Sequence, residues 1–439
     1  MHPITHPATS SARRSRRRTL TKAATAAALS LTAVLGTATS AGAAVPPDDL
    51  NKLYAASLTP YMGWNTWYGR GVAINQSVIR AEADALVNSG LAAAGFKTVW
   101  LDDGWWSGSR DASGKITVSS TQWPTGMNGL ADYIHSKGLK VGIYTDAGYN
   151  GCGGANKGSA GHVQQDINTF AAWGYDAVKI DHCGGNITGL NDADTYATYR
   201  HAILNNSSAR PMVFNICAWG YQAYQPVNSN AWRTDFDIAV GSSDGSYVPG
   251  SGAYTYAKVL RNLDTNSRTP TSAGPGHWND PDYLLTGHNL DGLPTSSTDA
   301  ASRSQFSMWA MMAAPLIIGT RATTLSPASL ATLTNAEVIA VDQDARGSQG
   351  VKIADDLAGG QVWSKRLTGS GTRAIALFNR SGTGRNITAS FSAAGLRGTI
   401  GLRDLWTHTN LSSVTTGSYT AYVPPYATVV LKATGTEAS

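Results

Sequence analysis

Short β-forming runs alternate with longer amphipathic stretches from about residue 57 to about residue 325. Apolar residues recur at helical spacing in stretches such as QSVIRAEADALVNSGLAAAG and HVQQDINTFAAWGY, and several of these end in glycine just before the next β-forming run. The β-forming runs are PYMGWNTW, KTVWLDDGWW, KVGIYTDAG, AVKIDHCGG, PMVFNICAWG, DFDIAVGSSD, TSAGPGHWNDPD and PLIIGTR. Eight strands alternating with helices predict an α/β fold, a (β/α)8 TIM barrel, because the rival doubly wound open sheet does not need eight such units.

The pattern changes after about residue 345. Alternating runs broken by Gly, Ser and Asn follow, among them VWSKRLTGSGTRAIALFNRSG, ITASFSAAGL and YTAYVPPYATVVLKAT. Such runs without intervening helices predict antiparallel hairpins. We therefore divide the chain into an N-terminal segment (1–44), a (β/α)8 barrel (45–340) and a C-terminal antiparallel β-sandwich domain (341–439).

The N-terminal segment has the composition of an export signal. Its basic part, RRSRRRTLTK, precedes the small and apolar stretch AATAAALSLTAVLGTATSAGAA, which ends in an A-x-A cleavage pattern. The arginine pair followed by Leu20 and Lys22 is typical of a bacterial twin-arginine signal. The alternative is a basic nucleic-acid-binding arm, but such arms lack an apolar segment like the one in this chain. We therefore expect a secreted protein whose signal peptide is removed near Ala43-Ala44.

Removing the export signal changes the charge balance. Six of the 34 Lys and Arg residues lie in 1–44, which holds no Asp or Glu, so the rest of the chain has 28 basic and 29 acidic residues. This balance gives no electrostatic reason to expect nucleic acid or an anionic membrane as a partner. No later apolar run is long enough to span a bilayer. Nothing in the pattern predicts an oligomeric state.

Three cysteines, Cys152, Cys183 and Cys217, follow the signal. In an exported protein they predict one disulfide and one free, buried thiol. After the signal the chain has no C-x-x-C or H-x-x-x-H spacing, so we expect neither a metal site nor a cofactor.

Polar and aromatic residues collect where the predicted strands end, which is where a barrel of this kind has its active site. They are Trp64, Trp67, Asp102, Asp103, Trp105, Trp106, Tyr144, Asp146, Lys179, Asp181, Cys183, Cys217, Trp219, Arg233, Asp235, Asp237, Trp278, Asn279, Asp280 and Asp282. One such aspartate is often only a helix N-cap, but carboxylates at five strand ends are costly to bury unless they are paired or functional. Tryptophan faces stack on sugar C–H groups and carboxylates accept sugar hydroxyls, so the set predicts a carbohydrate site.

Lys179 and Asp181 lie two residues apart in one strand and therefore point to the same side of the sheet. Glycoside hydrolysis needs two carboxyl groups, one of which is an acid/base. A neighbouring ammonium is expected to lower the pKa of Asp181 and keep it ionised, as a nucleophile requires. The alternative to this catalytic role is that Lys179 and Asp181 form a structural salt bridge inside the barrel.

Several motifs together resemble glycoside hydrolase family 27, the α-galactosidases and α-N-acetylgalactosaminidases. They are GWNTW, WLDDGWW, GIYTDAG, VKIDHC, WRTDFDI, GHWNDPD and SMWAMMAAPLIIG, and they extend over nearly all of the chain after the signal. The resemblance implies a retaining exo-glycosidase with a (β/α)8 barrel and a C-terminal antiparallel β domain. It makes Asp181 the nucleophile and Asp237, four residues after the arginine of the W-R motif, the acid/base. Retention implies that their carboxyl groups lie about 5–5.5 Å apart.

The resemblance also implies the residues that bind the sugar. Asp102 and Asp103 match the pair that binds the 4- and 6-hydroxyls of the terminal sugar, and Cys152 and Cys183 match a disulfide between two strand-end loops. The expected substrate-binding set is Trp64, Asp102, Asp103, Tyr144, Lys179, Cys217, Trp219, Arg233 and Asp282.

The fifth strand departs from the family pattern. Where α-galactosidases typically have Cys-Glu-Trp, with the glutamate on the sugar 2-hydroxyl, this chain has Cys217-Ala218-Trp219. A small residue leaves room for a larger C2 substituent or removes the contact, and nearby Tyr221 and Gln222 could compensate.

The intact Asp102-Asp103 pair nevertheless favours terminal α-D-galactose. The alternatives are an α-N-acetylgalactosaminidase, a β-L-arabinopyranosidase and an isomaltose-releasing dextran hydrolase. A protein of a different class, a non-catalytic carbohydrate-binding barrel, would not need to keep both catalytic carboxylates.

Overall fold

The computed structural model describes residues 48–152, 154–240 and 254–438. The predicted signal segment and its cleavage site lie outside these residues. Every helix in the described ranges is too short or too polar to cross a membrane.

The first part of the described chain is a barrel of eight parallel strands, which confirms the predicted fold. The strands are β1 (Met62–Asn65), β2 (Thr98–Leu101), β3 (Lys140–Asp146), β4 (Ala177–Asp181), β5 (Val213–Cys217), β6 (Ala231–Arg233), β7 (Trp278–Asp280) and β8 (Leu316–Ile318). Neighbours pair in the order β7-β6-β5-β4-β3-β2-β1-β8. The circle closes where Leu284, which follows β7, pairs in parallel with Ile318 of β8.

Helices connect the barrel strands, and others precede the first strand and follow the last. They are α1 (Leu50–Ala55), α2 (Thr66–Arg70), α3 (Gln76–Asn88), α4 (Leu91–Ala94), α5 (Gly126–Ser136), α6 (Val163–Ala172), α7 (Cys183–Thr188), α8 (Asp192–Leu204), α9 (Tyr256–Asn266), α10 (Thr298–Met311), α11 (Pro327–Leu333) and α12 (Ala336–Asp342). Single 3-10 turns occupy Pro270–Ser272, Thr295–Ser297 and Ala322–Thr324.

Helix α3 illustrates how the sequence sets these elements. The Asn75 side chain accepts a hydrogen bond from the backbone N–H of Val78 at 3.0 Å and so caps the first turn. Ile79 and Leu86 lie on the buried face, at the spacing that the sequence pattern predicts. The helix ends before Gly90, whose φ of 84° suits glycine better than any other residue.

The sixth strand differs from the prediction. The run DFDIAVGSSD was expected to form it, but the strand is the preceding Ala231–Arg233, and residues 234–240 form a loop. The alternation of apolar and polar residues in DFDI therefore belongs to a loop. This loop is anchored where the backbone N–H of Ile238 donates to the Asp282 carboxylate at 2.8 Å. Residues 241–244 of that run lie outside the described residues.

The second part of the described chain is an antiparallel β domain, as predicted. Its strands are β9 (Val351–Asp355), β10 (Gly360–Arg366), β11 (Thr372–Asn379), β12 (Arg385–Ser390), β13 (Leu396–Asp404), β14 (Thr409–Val414), β15 (Ser418–Val423) and β16 (Thr428–Glu437). Six of them form one sheet in the order β14-β13-β16-β11-β10-β9, and β12 pairs with β15 to cover it.

Strand β11 contributes to two hydrophobic cores. Ala374, Ala376 and Phe378 pack with the barrel residues, whereas Ile375 and Leu377 pack between the sheets of the β domain. This division follows from the two-residue period of a strand. The barrel side of the contact includes α10, most of whose side chains are buried, and Lys365 of β10 donates to the carbonyl of Ala310 at 2.8 Å.

Candidate active site

Neighbouring strand ends bring three candidate residues to one level of the barrel. Asp181 at the end of β4 is in register with Asp146 of β3 on one side and with Cys217 of β5 on the other. Lys179, two residues earlier, is in register with Tyr144 of β3. The parallel pairing therefore places side chains that are far apart in sequence on the same face.

The ammonium group of Lys179 pairs with Asp102 rather than with Asp181. Its Nζ donates to Asp102 Oδ2 at 2.9 Å and to the Tyr283 hydroxyl at 3.0 Å. Asp102 Oδ2 also accepts from Asn65 Nδ2 at 2.9 Å. Burial by itself lowers the pKa of Lys179, but the charge of Asp102 and its neighbours raises that pKa well above the usual value. Lys179 is therefore a charged group that fixes Asp102.

The side chain of Asp181 is buried and anchored on both oxygens. Oδ1 accepts the backbone N–H of His182 at 2.9 Å, and Oδ2 accepts the Tyr144 hydroxyl at 3.1 Å. Burial raises the pKa of Asp181 to about 6; Lys179 lowers it and Asp237 raises it. The expectation of a lowered pKa was therefore wrong in its net direction, because the loss of solvent outweighs the lysine.

Asp237 lies on the loop after β6 and is more open to solvent, with 44% of its side chain exposed. Arg233 Nη2 donates to Asp237 Oδ1 at 3.2 Å. The charge of Asp237 is one of the causes that raise the pKa of Asp181. The 5–5.5 Å separation of the two carboxyl groups stays a prediction.

Asp282 anchors Arg233 from below. Its carboxylate is fully buried and lies 2.7 Å from Arg233 Nη2. The same oxygen accepts the Tyr68 hydroxyl at 2.7 Å and the backbone N–H of Ile238 at 2.8 Å. These donors come from three separate parts of the barrel, so Asp282 fixes both Arg233 and the loop that carries Asp237. Direct contact between Asp282 and a sugar stays a prediction.

Asp103 has one occupied and one unpaired oxygen. Oδ1 accepts the backbone N–H of Gly104 at 2.7 Å. Oδ2 is buried and has no hydrogen-bond partner among the described residues. A buried carboxylate oxygen without a partner is costly, which makes this atom a candidate acceptor for a ligand hydroxyl.

The aromatic candidates divide into two groups. Trp64 is buried and donates from Nε1 to the carbonyl of Thr320 at 2.6 Å, whereas Trp219 is partly exposed with a φ of 47°. Trp105 and Trp106 stack on each other with ring centroids 5.6 Å apart and belong to the hydrophobic core. Trp64 belongs to the same core, so only Trp219 of these four is open to solvent, and contact of Trp64 and Trp219 with a sugar stays a prediction.

Strand β5 ends in a small, apolar group. Cys217 is a buried free thiol whose pKa burial raises well above the usual value, so it is not a ready nucleophile. Ala218 follows it. Tyr221 packs against Trp232, which alternates along β6 with the inward-facing Arg233. Compensation for the missing glutamate by Tyr221 or Gln222 stays a prediction.

Cys152 and Cys183 form the disulfide that the resemblance implies. It joins the loop after β3 to the start of α7, next to Asp181 and Asp146. Burial raises the pKa of Asp146 to about 7 despite the backbone hydrogen bonds that its carboxylate accepts. The four side chains place possible ligand atoms within 4.8 Å of one another. Two of these atoms are disulfide sulfurs, which lack the thiolate that metal binding uses.

Two residues that bind Asp102 were missed from the sequence. Tyr283 and Asn65 both contact its carboxylate, the former with its hydroxyl at 3.3 Å. Asn65 lies inside the motif GWNTW, directly after Trp64, and Tyr283 directly follows the motif GHWNDPD. Their position in or next to these motifs was the available signal.

Comparison with known proteins agrees with this fold and site. A family model described as alpha galactosidase A matches residues 59–344, and one described as the alpha galactosidase C-terminal beta sandwich domain matches residues 358–433. An α-galactosidase from Oryza sativa subsp. japonica is 38% identical over 376 residues, which are 84% of this chain and 83% of the relative. Alpha-galactosidase A from Cellvibrio japonicus is 41% identical over 303 residues, 68% of this chain and 70% of the relative.

The solved structure of α-galactosidase I from Mortierella vinacea superposes with a TM-score of 0.76 at 29% identity and covers 87% of this chain and 98% of that one. Together with the carboxylates at the strand ends, these matches define a glycoside hydrolase. The chain belongs to the α-galactosidase family, glycoside hydrolase family 27.

Proposed function

We propose that the protein is a secreted, retaining exo-α-galactosidase that removes terminal α-linked D-galactose from oligo- or polysaccharides. The observation that carries the proposal is the pair of carboxylates with different environments: Asp181 is buried and anchored on both oxygens, and Asp237 is partly exposed on an arginine. The relatives named α-galactosidases support the choice of sugar. Export rests on the composition of residues 1–44.

The two carboxylates have separate roles in this reaction. Asp181 attacks the anomeric carbon while Asp237 protonates the leaving oxygen, which gives a covalent glycosyl-enzyme. Asp237 then takes a proton from water, and the water displaces Asp181. The His182 N–H and the Tyr144 hydroxyl hold the nucleophile in place. The ion pair of Arg233 with Asp282 holds the loop of the acid/base.

The terminal sugar is recognised by the two adjacent aspartates. Asp102 is fixed by Lys179, Asn65 and Tyr283, and Asp103 offers an unpaired, buried oxygen. Carboxylates held in this way accept sugar hydroxyls without losing further side-chain freedom. The pair therefore selects a sugar by the direction of its hydroxyl groups.

The test is a comparison of initial rates on aryl glycosides of α-D-galactose, α-N-acetyl-D-galactosamine, β-L-arabinopyranose and α-D-glucose. We expect the α-D-galactoside to have the highest kcat/KM. The observation that favours a second candidate, an α-N-acetylgalactosaminidase, is Ala218, because a small residue at the family's glutamate position leaves room for a larger C2 substituent. If the N-acetylated substrate is fastest, the galactose assignment is wrong; if none is hydrolysed, the protein is not an exo-glycosidase of these sugars.

The pH profile follows from the environment of Asp181. Its pKa is raised to about 6, mainly by burial, and only the ionised form attacks carbon. We therefore expect kcat/KM for an aryl α-D-galactoside to fall about tenfold per pH unit below about pH 6. The measurement is kcat/KM over a series of pH values, with each sample returned to neutral pH and re-assayed to exclude denaturation. An acidic limb near the ordinary aspartate pKa of about 3.9 would contradict the expectation.

A further inference from the structure

A second lysine reaches the sugar-binding aspartates from outside the barrel strands. Lys157 lies on the loop between β3 and α6, and its Nζ is 3.3 Å from Asp103 Oδ1. The two side chains are 17% and 6% exposed. The adjacent aspartates therefore have separate cations: Asp102 pairs with Lys179 of β4 at 2.9 Å, and Asp103 pairs with Lys157.

The loop that carries Lys157 is held on several sides. The N–H of Gly158 donates to the carbonyl of Tyr149 at 3.1 Å, and the carbonyl of Gly158 accepts Arg110 Nη2 at 3.1 Å. A Cβ at Gly158 would collide with the backbone of Gly148, so the two segments approach as only glycine permits. The Cys152–Cys183 disulfide fixes the start of the loop. The fixed conformation of this loop therefore holds Lys157 next to Asp103.

The aliphatic part of Lys157 runs beside the same loop. A Cβ added to Gly154 would lie 3.3 Å from Lys157 Cε, so the absence of a side chain at Gly154 leaves room for the stem. The ammonium at its end faces Asp103. A neutral side chain of similar length can keep this packing and lose only the charge.

The contact occupies one carboxylate oxygen of Asp103 and leaves the other free. Oδ1 accepts both Gly104 N–H and Lys157, whereas the buried Oδ2 has no partner among the described residues. Two donors on one oxygen fix the rotation of the carboxylate, and they balance its charge beside Asp102. We propose that Lys157 is a positioning residue that holds Asp103 so that Oδ2 accepts a hydroxyl of the terminal sugar. This inference rests on the proposed function of the site.

The first experiment compares variants at position 157 on an aryl α-D-galactoside. Lys157→Met and Lys157→Gln remove the charge, Lys157→Arg keeps it, and Lys115→Met is a matched control at an exposed lysine. We expect KM to rise about tenfold in both neutral variants with kcat changed by less than about twofold, because a charge-assisted contact to a binding group is lost. Lys157→Arg should recover most of the affinity. An unchanged KM, or an arginine variant as weak as the methionine one, would overturn the proposal.

A double-mutant cycle tests whether Lys157 acts through Asp103. In an Asp103→Asn background, Lys157→Met is expected to change KM by less than about twofold, since the group that it positions has been altered. If Lys157→Met still raises KM about tenfold in that background, Lys157 does not act through Asp103 and the proposal is wrong. Thermal unfolding is measured alongside, and neutral variants that do not fold would show that Lys157 serves stability, which also overturns the proposal.

The failure of this inference can be separated from failure of the proposed function. The wild-type protein is first titrated calorimetrically with free D-galactose and assayed on the four aryl glycosides. If it neither binds nor releases galactose, the proposed substrate is wrong, and the Lys157 series is run on whichever sugar is hydrolysed. If galactose is bound equally by wild type and Lys157→Met, the function stands and the positioning role fails.

Discussion

Asp181→Ala is expected to reduce kcat for an aryl α-D-galactoside by at least about 10⁴-fold, because no other group can form the covalent glycosyl-enzyme. Asp181 lies at the end of β4 and receives hydrogen bonds from His182 N–H and the Tyr144 hydroxyl, so its carboxylate is held in one orientation. Asp181→Asn keeps the shape of the side chain and should lose a similar factor. The measurement is kcat on purified variants whose folding is checked by circular dichroism.

Rescue by azide is a second test of Asp181 as the nucleophile. The alanine variant leaves space for a small external nucleophile, which can attack the anomeric carbon and give a β-galactosyl azide, whereas the asparagine side chain fills that space. We expect azide to restore turnover in Asp181→Ala only. Asp146→Asn is the matched control, since Asp146 is buried and in register with Asp181 one strand away. A loss at Asp146 as large as at Asp181, without azide rescue at 181, would move the nucleophile to another residue.

Asp237→Asn is expected to have an effect that depends on the leaving group. For a substrate whose leaving group is a sugar or an alcohol, kcat/KM should fall about 10³–10⁴-fold, because the leaving oxygen must be protonated as the bond breaks. For a dinitrophenyl galactoside, which leaves without a proton, the loss should be far smaller. The ratio of the two effects is the measurement, since a merely structural change would lower both rates alike.

Asp235→Asn supplies the comparison for this variant. Asp235 lies two residues earlier on the same loop, is buried, and accepts the backbone N–H of Phe236 at 2.7 Å. Its replacement is expected to lower all rates by a similar, modest factor. If the dependence on the leaving group appears at Asp235 and is absent at Asp237, the acid/base has been assigned to the wrong carboxylate.

The barrel could be predicted because each of its units has a local signal. A buried strand, a polar strand end and an amphipathic helix recur in order, and the parallel register then follows from the fold. The same pattern predicted that Asp181 lies at the end of a strand, on the side of the barrel that carries the active site. The motif resemblance added the disulfide partner of Cys152, which the count of cysteines left open.

The pairing inside the site could not be predicted in the same way. Lys179 contacts Asp102, which is 77 residues distant in sequence, and no spacing rule identifies a partner across two strands. Whether the pKa of Asp181 is raised or lowered overall depends on how much solvent the folded chain excludes from its carboxylate. Lys157 lies on a loop whose path depends on the disulfide and on backbone packing. Each of these properties is a product of tertiary structure.

Strand β11 limits how a protein of this architecture can be rearranged. Its odd-numbered and even-numbered apolar side chains serve different cores, one of them shared with the barrel helix α10. Gene fusion or recombination that exchanged the C-terminal β domain would have to supply a strand whose small residues fit α10, not merely a sheet of the same topology. We therefore expect an exchanged β domain to leave α10 poorly packed unless its strand carries small residues at these positions.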